Sequence, residues 1–283
     1  MVFSPKMLEE PMRRFRLACA AFLFCVPLSR AADLPEIIRR ATGVIQTDWA
    51  ADPDYAYVQR EESQKNGQPT SKTTRVVMLD GSDYSMPLTV NDEPLSPDAA
   101  HHELTKLKAE LQRRTQQSPS ARRQRVEKFK KQEEENGALL LDAPNAFTFE
   151  LLREEVRDGY PAYVLSATPR KRSGPMSRSL KVLSGMHVTL WIEKDTFHVL
   201  RGEAEALIPV PVYGILAKVL PGTHIAIRLA PVTDSVWLIG ELSLNLSVAK
   251  LLMFKSTENT RTTYTDYRPN DAELKDLLAQ AGP

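Results

Sequence analysis

The chain has 283 residues, 42% of them hydrophobic, and a formal net charge of +1. This composition is typical of a globular protein with a sizeable core, and it excludes a disordered or collagen-like chain. The balanced charge gives no reason to expect nucleic acid as a partner.

The first 31 residues have the pattern of a secretory signal peptide. A basic stretch, RRFR, precedes the apolar run LACAAFLFCVPL and the small-residue site SRA. The run is shorter than the roughly 20 residues that span a bilayer, which favours a cleaved signal over a membrane anchor. We expect cleavage after Ala31, from a start at either Met1 or Met12, and a periplasmic or secreted location for residues 32–283.

Both cysteines, Cys19 and Cys25, lie inside this segment. After cleavage no thiol remains, so a disulfide, a thiolate metal site and a cysteine nucleophile are all excluded.

An amphipathic helix is predicted over residues 34–50. Apolar residues recur there at helical spacing, from Ile37 to Trp49, and Pro35 suits a first helical turn. The strand-like stretches YAYVQREES and KTTRVVMLD follow it, so the helix is expected to lie with its apolar stripe on a sheet.

A charged helical pair is predicted as an insertion at about 97–140. Ser96-Pro97 and Ser118-Pro119 each offer a capping serine before a proline in the first helical turn. Basic residues outnumber acidic ones across 101–136. Two interpretations stay open: a solvated helical hairpin, or a basic arm over residues 97–137 that contacts an anionic membrane surface or an envelope protein.

Strands dominate from Ala146 onward and end in a C-terminal helix. Short turns separate them, which predicts an α+β fold with a mainly antiparallel sheet. Strict alternation over 241–248 predicts one apolar face and one polar face. A turn at Lys194-Asp195 would place Trp191 opposite His198. The apolar segment 206–222 is either an exposed flap or a buried crossover.

No catalytic or metal-binding motif was found. HHELT lacks the second histidine of a zinc protease helix, and His187, His198 and His224 stand on separate strand positions. Adjacent glutamates in a strand face opposite sides and cannot act together as acid and base. We expect a protein that is not an enzyme, with no metal and no cofactor.

The strand pair GYPAYVLSATPR and LWIEKDTFHVLRGEAEA, with the closing TTYTDYR, resembles the LolA, LolB and RseB-like superfamily of outer-membrane lipoprotein-sorting and lipoprotein carrier proteins. The resemblance covers roughly residues 34–270 and rests on short structural motifs. It implies a single domain over 32–283, a strongly curved antiparallel β half-barrel whose helix-covered hollow holds acyl chains.

The function implied is that of an exported soluble carrier or sensor, which binds the acyl chains of a lipid or lipoprotein in this hollow. The side chains expected to line the hollow are Trp49, Trp191, Leu200, Ile225, Ile227, Leu229, Leu242, Leu244 and Leu246. Apolar alternation is the same for an open hollow and a filled one. The alternative is therefore a non-catalytic protein-interaction scaffold of the cell envelope with a filled core. A hydrolase of envelope lipids is a third, weaker hypothesis.

Overall fold

A computed structural model describes residues 33–65, 67–141, 143–170, 184–211, 217–250 and 254–282. The predicted signal peptide and part of the apolar segment 206–222 lie outside these residues. Within the described ranges, no helix is both long enough and apolar enough to cross a membrane.

The predicted helices are present in the described residues. α1 begins one residue after Asp33, carries Pro35 in its first turn, and continues through a 3-10 turn over Asp52–Asp54. The helices are α1 (Leu34–Ala51), α2 (Pro97–Thr115), α3 (Pro119–Leu141), the short α4 (Ala143–Ala146) and α5 (Asn270–Gln280).

The strands form one antiparallel sheet. They are β1 (Tyr55–Lys65), β2 (Gln68–Leu79), β3 (Ser82–Val90), β4 (Glu93–Pro94), β5 (Phe147–Arg157), β6 (Tyr160–Pro169), β7 (Met186–Glu193), β8 (Val199–Ala206), β9 (Val210–Pro211), β10 (Ala217–Val219), β11 (His224–Pro231), β12 (Trp237–Lys250) and β13 (Phe254–Pro269). The order is β4-β3-β2-β1-β13-β12-β11-β8-β7-β6-β5, with β10 and β9 beside the end of β12. β4 and β5 lie at the two ends of this order and do not pair with each other in the described residues, so the sheet is open. The predicted α+β fold is confirmed.

The sheet is strongly curved. Tyr160 begins β6 and Trp237 begins β12, four strands away, yet their ring centroids are 5.2 Å apart. On a flat sheet those strands would lie about 19 Å apart, a gap that the two side chains cannot bridge. Register shifts in five strand pairs supply the local bending, because a bulge increases strand twist.

The two faces of the sheet carry different helices. We call the inner face the one that holds Leu190, Gly202, Ile227 and Leu242 in register across β7, β8, β11 and β12. Residues of α1 and α3 meet this face. On the opposite face of β1–β3, helices α2 and α5 bury a separate apolar cluster around Leu107, which is fully buried.

The inserted helices α2 and α3 are anchored on the β2–β3 turn by arginines. The guanidinium of Arg114 donates to the carbonyl oxygens of Leu79 and Ser82, at 2.6 and 2.9 Å. Arg125 forms an ion pair with Asp80, also at 2.6 Å. Some of the arginines that suggested a basic arm therefore bind the β2–β3 turn within the fold. The exposed basic residues of α3 include Arg123, Lys128, Lys130 and Lys131.

The predicted pairing of Trp191 with His198 is wrong. Trp191 pairs with Arg201, because Leu200 is an extra residue at a register shift and the loop is longer than two residues. The backbone N–H of Glu193 donates to the carbonyl of His198, and Phe197 has a left-handed backbone with φ 66°. A one-residue bulge is enough to change every pairing beyond it.

Candidate functional site

A cavity of about 190 Å³ lies between α1, α3 and the inner face. Helix α1 contributes Ile45, Asp48 and Trp49 to its wall, and α3 contributes Phe129 and Glu133. Its remaining lining comes from six strands, the 3-10 turn and their junctions. The site is therefore assembled from distant parts of the sequence.

Aromatic rings form much of the wall. The ring centroid of Tyr57 is 5.7 Å from that of Tyr264 and 5.4 Å from that of Tyr267. The hydroxyl of Tyr267 donates to the carbonyl of Ile239 at 2.7 Å, which fixes this ring against β12. The aromatic side chains that line the cavity are Trp49, Tyr55, Tyr57, Phe129, Trp237, Tyr264 and Tyr267.

Four carboxylates share this wall: Asp48, Asp52, Asp83 and Glu133. No lysine, arginine or histidine is found among the described residues that line the cavity. Burial, with a smaller contribution from the charge of Glu133, raises the pKa of Asp52 to about 6. The local environment thus disfavours the charge of Asp52.

Burial and nearby negative charge also raise the pKa values of the cavity tyrosines. Burial is the main cause of the raised pKa of Tyr57 and of Tyr267, and the charge of Asp52 comes second for both. The pKa of Tyr264 is raised for the same two reasons. The Asp52 carboxylate therefore acts on all three rings, and they stay neutral hydroxyl-bearing groups at any physiological pH.

Asp48 lines the cavity and joins α1 to β12. Asp48 Oδ1 accepts the backbone N–H of Trp237 at 3.1 Å. Asp48 Oδ2 lies 3.7 Å from His198 Nε2, and neither atom has a hydrogen-bond partner within the described residues. The His198 ring stacks on Trp237 with centroids 5.0 Å apart. This junction connects the helix to the β7–β8 loop.

An apolar track extends from the cavity along the inner face. It consists of Ile225, Ile227, Leu242, Leu244 and Leu246, where Ile225 pairs with Leu244 and Ile227 with Leu242. All five side chains are only half-buried in the described structure. From Ile239 in the cavity wall to Leu246 the strand rises about 23 Å. The inner face thus offers a long aliphatic strip beside a small cavity.

The predicted hollow residues fall into three groups. Trp49, Ile227 and Leu229 line the cavity, and Ile225, Leu242, Leu244 and Leu246 lie along the track.

Trp191 and Leu200, the third group, are buried in a cluster with Val164 and Trp237. The indole N–H of Trp191 donates to Glu155 at 2.6 Å, and its register partner Arg201 belongs to the face opposite Leu190. These two side chains therefore stabilise the fold beside the cavity.

Sequence reasoning missed the acids and tyrosines of the cavity. Tyr264 and Tyr267 are three residues apart and would face opposite sides of a regular strand. The left-handed backbone of Asp266, with φ 53°, brings both rings to the cavity. The carboxylates come from α1, the 3-10 turn, β3 and α3, so no local motif marks them.

The described part of the apolar segment 206–222 contains both exposed residues, as expected of a flap, and buried residues, as expected of a crossover. Leu207 and Ile208 are 61% and 59% exposed, whereas Val210 and Val219 are buried beside Met186.

No group of metal-binding side chains was found within the described ranges.

No family model matches the chain, and no curated protein matches it. Among solved structures, a LolA superfamily protein from Nitrosomonas europaea is 12% identical, with a TM-score of 0.34, and the match covers 83% of this chain and 92% of that one. A putative outer membrane lipoprotein-sorting protein domain from Vibrio parahaemolyticus is 11% identical, with a TM-score of 0.35 and coverages of 84% and 99%.

A complex of MucA and MucB from Pseudomonas aeruginosa also matches, at 10% identity, a TM-score of 0.21 and coverages of 81% and 98%. The chain is thus similar to LolA-like and MucB structures, in line with the resemblance in its strands. TM-scores below 0.5 specify neither a ligand nor a partner for this chain.

Proposed function

We propose that this chain is an exported, non-catalytic binding protein that holds the apolar chain of a lipid or lipoprotein against the inner face of its sheet. The observation that carries the proposal is the half-buried apolar track beside the cavity. Aliphatic side chains in register on a concave face are normally covered by the protein's own core. A ligand chain laid along this strip would remove it from water.

The energy available is sufficient for useful affinity. Burial of each methylene group contributes about 0.8 kcal/mol, so eight methylenes on the track would contribute roughly 6 kcal/mol before ordering costs. Apolar contact alone can therefore hold a chain, and no covalent chemistry is needed.

The volume of the cavity sets a condition on binding. At about 190 Å³ it is close to the roughly 150 Å³ cavity that accommodates benzene, and below the range of about 300–1,000 Å³ common for ligand sites. One end of an amphiphile fits the cavity as it stands. A longer chain exceeds this volume and would extend from the cavity along the track.

The signal pattern of residues 1–31 supports a periplasmic or secreted location for this binding protein. In that location it would meet lipids and lipoproteins in transit through the envelope. Residues 32–283 would form the working domain, with α2 and α3 as its insertion.

The first test is native mass spectrometry of residues 32–283, exported to a bacterial periplasm and purified without detergent. We expect an added mass in native spectra that disappears on denaturation and is identified as a lipid or lipopeptide. In the variant Ile227→Trp, a larger ring fills the cavity, and the added mass should be lost. Val156→Trp is the matched control, since Val156 is 72% exposed on β5.

A bare protein mass that also fails to bind any added amphiphile would contradict the proposal. Retention of the lipid by a folded Ile227→Trp variant would place the ligand elsewhere and contradict the site.

A second function is favoured by the exposed cations of α3. Arg123, Lys128 and Lys131 stay exposed after the other arginines have bound the β2–β3 turn. Such a surface would attract anionic headgroups by about 1 kcal/mol per cation near a membrane. Flotation with phosphatidylglycerol vesicles, using a variant with all three changed to glutamate, tests it. Equal flotation of both proteins would contradict this second function.

A further inference from the structure

The charge of the cavity wall restricts the ligands that the proposed binding site accepts. Four carboxylates and seven aromatic side chains line it, and its described lining includes no basic side chain. A fatty-acid carboxylate or a phosphate placed there would face groups of like charge. In a partly buried site the repulsion between like charges is stronger than in water, because the effective dielectric constant is lower.

The same wall suits a cation. Ammonium groups bind the faces of aromatic rings, and a box of rings beside a carboxylate recognises methylated ammonium ligands. Tyr57 and Tyr264 meet edge to face, with ring centroids 5.7 Å apart and an interplanar angle of 60°, so the two rings form an angled pair and do not stack on each other. Asp52 acts electrostatically on both rings and on Tyr267. The carboxylates and the aromatic rings therefore share one cavity wall.

The apolar track adds a surface for the alkyl chain of an amphiphile next to the cavity. Ile227 belongs both to the cavity wall and to the track, so the polar cavity opens directly onto the aliphatic strip. A head group in the cavity and a chain on the track would be contiguous. Glu133 of α3 and Asp52 after α1 would approach the head group from the two covering helices.

We propose that the cavity takes the ammonium group of a cationic amphiphile, held by Asp52 and Glu133 and by the faces of Tyr57 and Tyr264, while its alkyl chain lies on the track. This inference rests on the proposed binding function and specifies its ligand class. It excludes free fatty acids as preferred ligands, although an apolar hollow alone would accept them.

One further observation agrees with this assignment. Burial and the charge of Glu133 raise the pKa of Asp52, and the described lining includes no basic side chain that would lower it.

The test compares three ligands that share one chain and differ in head group: decyltrimethylammonium, decanol and decanoate. Isothermal titration calorimetry at pH 7.5, below the micellar concentrations, measures their affinities for residues 32–283. We expect decyltrimethylammonium to bind at least 10-fold more tightly than decanoate, with decanol between them.

The variant Asp52→Asn should weaken decyltrimethylammonium binding at least 5-fold and leave decanol binding unchanged. Asp54→Asn, two residues along and exposed, is the matched control and should change neither. Glu133→Gln is a second variant with the same expected result, in case Asp52→Asn fails to fold.

Each failure has a separate meaning. Decanoate binding as tightly as decyltrimethylammonium would overturn the cation inference and leave the binding function standing. If none of the three ligands binds, the binding function itself is wrong. If the ammonium preference is equal in wild type, Asp52→Asn and Glu133→Gln, the cation binds outside this cavity and the inference fails.

Discussion

Asp52 is the residue at which stability and binding oppose each other. A carboxylate in a partly dry wall next to Glu133 costs the folded state free energy whenever it is ionised. A protein that needed only a stable core would place an amide or an aliphatic group there. We interpret the acid as a binding group whose cost is offset when a cation arrives.

This interpretation gives a pH-dependent stability effect. The folded pKa of Asp52, about 6, is above the ordinary value of 3.8, so the wild type loses stability as pH rises through that interval and does not recover it above pH 6. The difference corresponds to at most about 3 kcal/mol. Relative to wild type, Asp52→Asn should therefore gain up to about 3 kcal/mol at pH 7.5 and little at pH 4.

Urea unfolding of ligand-free protein at both pH values checks this prediction, with Asp54→Asn as control. The charge of Glu133 also acts on Asp52, so the transition should be broad. A stability difference that does not change between pH 4 and pH 7.5 would contradict it.

Asp48 gives a second prediction at the residue scale, based on hydrogen bonding. Asp48→Asn keeps an oxygen for the Trp237 N–H and places an N–H near His198 Nε2, so we expect little loss of stability. Asp48→Ala leaves the buried N–H without a partner and should cost about 1–3 kcal/mol. Denaturation midpoints of the two variants measure this, and equal losses would show that the hydrogen bond contributes nothing.

At the scale of elements, the close approach of α1 and α3 covers the cavity. Gly137 of α3 lies so near Trp49 that a Cβ would be 3.0 Å from the indole Cε2 and Nε1. Glycine at this position allows the two helices to pack with the indole between them and the cavity wall. The close packing of α3 on Trp49 therefore depends on a residue without a Cβ at position 137.

Gly137→Ala should displace Trp49. The change improves helix propensity, but overpacking costs about 1–3 kcal/mol, so we expect a net loss of stability and weaker ligand binding. Gly43→Ala in α1, where nothing lies within 4 Å, is the matched control and should stabilise the protein by about 0.5–1 kcal/mol. Stabilisation of both variants to the same extent would contradict the packing of α3 on Trp49.

Elements with a strong local signal could be predicted from the sequence. Pro35 and the apolar spacing specify α1, the two Ser-Pro pairs specify the starts of α2 and α3, and alternation over 241–248 specifies the two faces of β12. These features depend on residues a few positions apart. The anchoring of α2 and α3 by Arg114 and Arg125 joins them to a turn more than 30 residues away and left no local pattern.

Part of the candidate site could also be predicted. Alternation identified the aliphatic track. The irregular backbone at Leu200 and at Asp266 changed the pairing of Trp191 and the face on which the tyrosines lie, which strict periodicity does not predict. The charge of the cavity is a property of four segments brought together by folding. It could not be inferred from any one of them.

At the scale of the whole molecule, curvature creates the site. A flat sheet would pack its aliphatic face directly on α1 and α3, whereas a sheet that brings β6 and β12 into contact leaves space beneath the helices. The acids and tyrosines gather at one end of that space, and the aliphatic residues continue away from it. The molecule thus presents a polar end and an apolar end to one ligand.

The most direct measurement is a crystal structure with 10-bromodecyltrimethylammonium, in which anomalous scattering locates the bromine. The expected result is a single anomalous peak over the track near Leu244, with the ammonium density between Asp52 and Tyr57. A peak on the opposite face of the sheet, or a reversed ligand with bromine beside Asp52, would contradict the account.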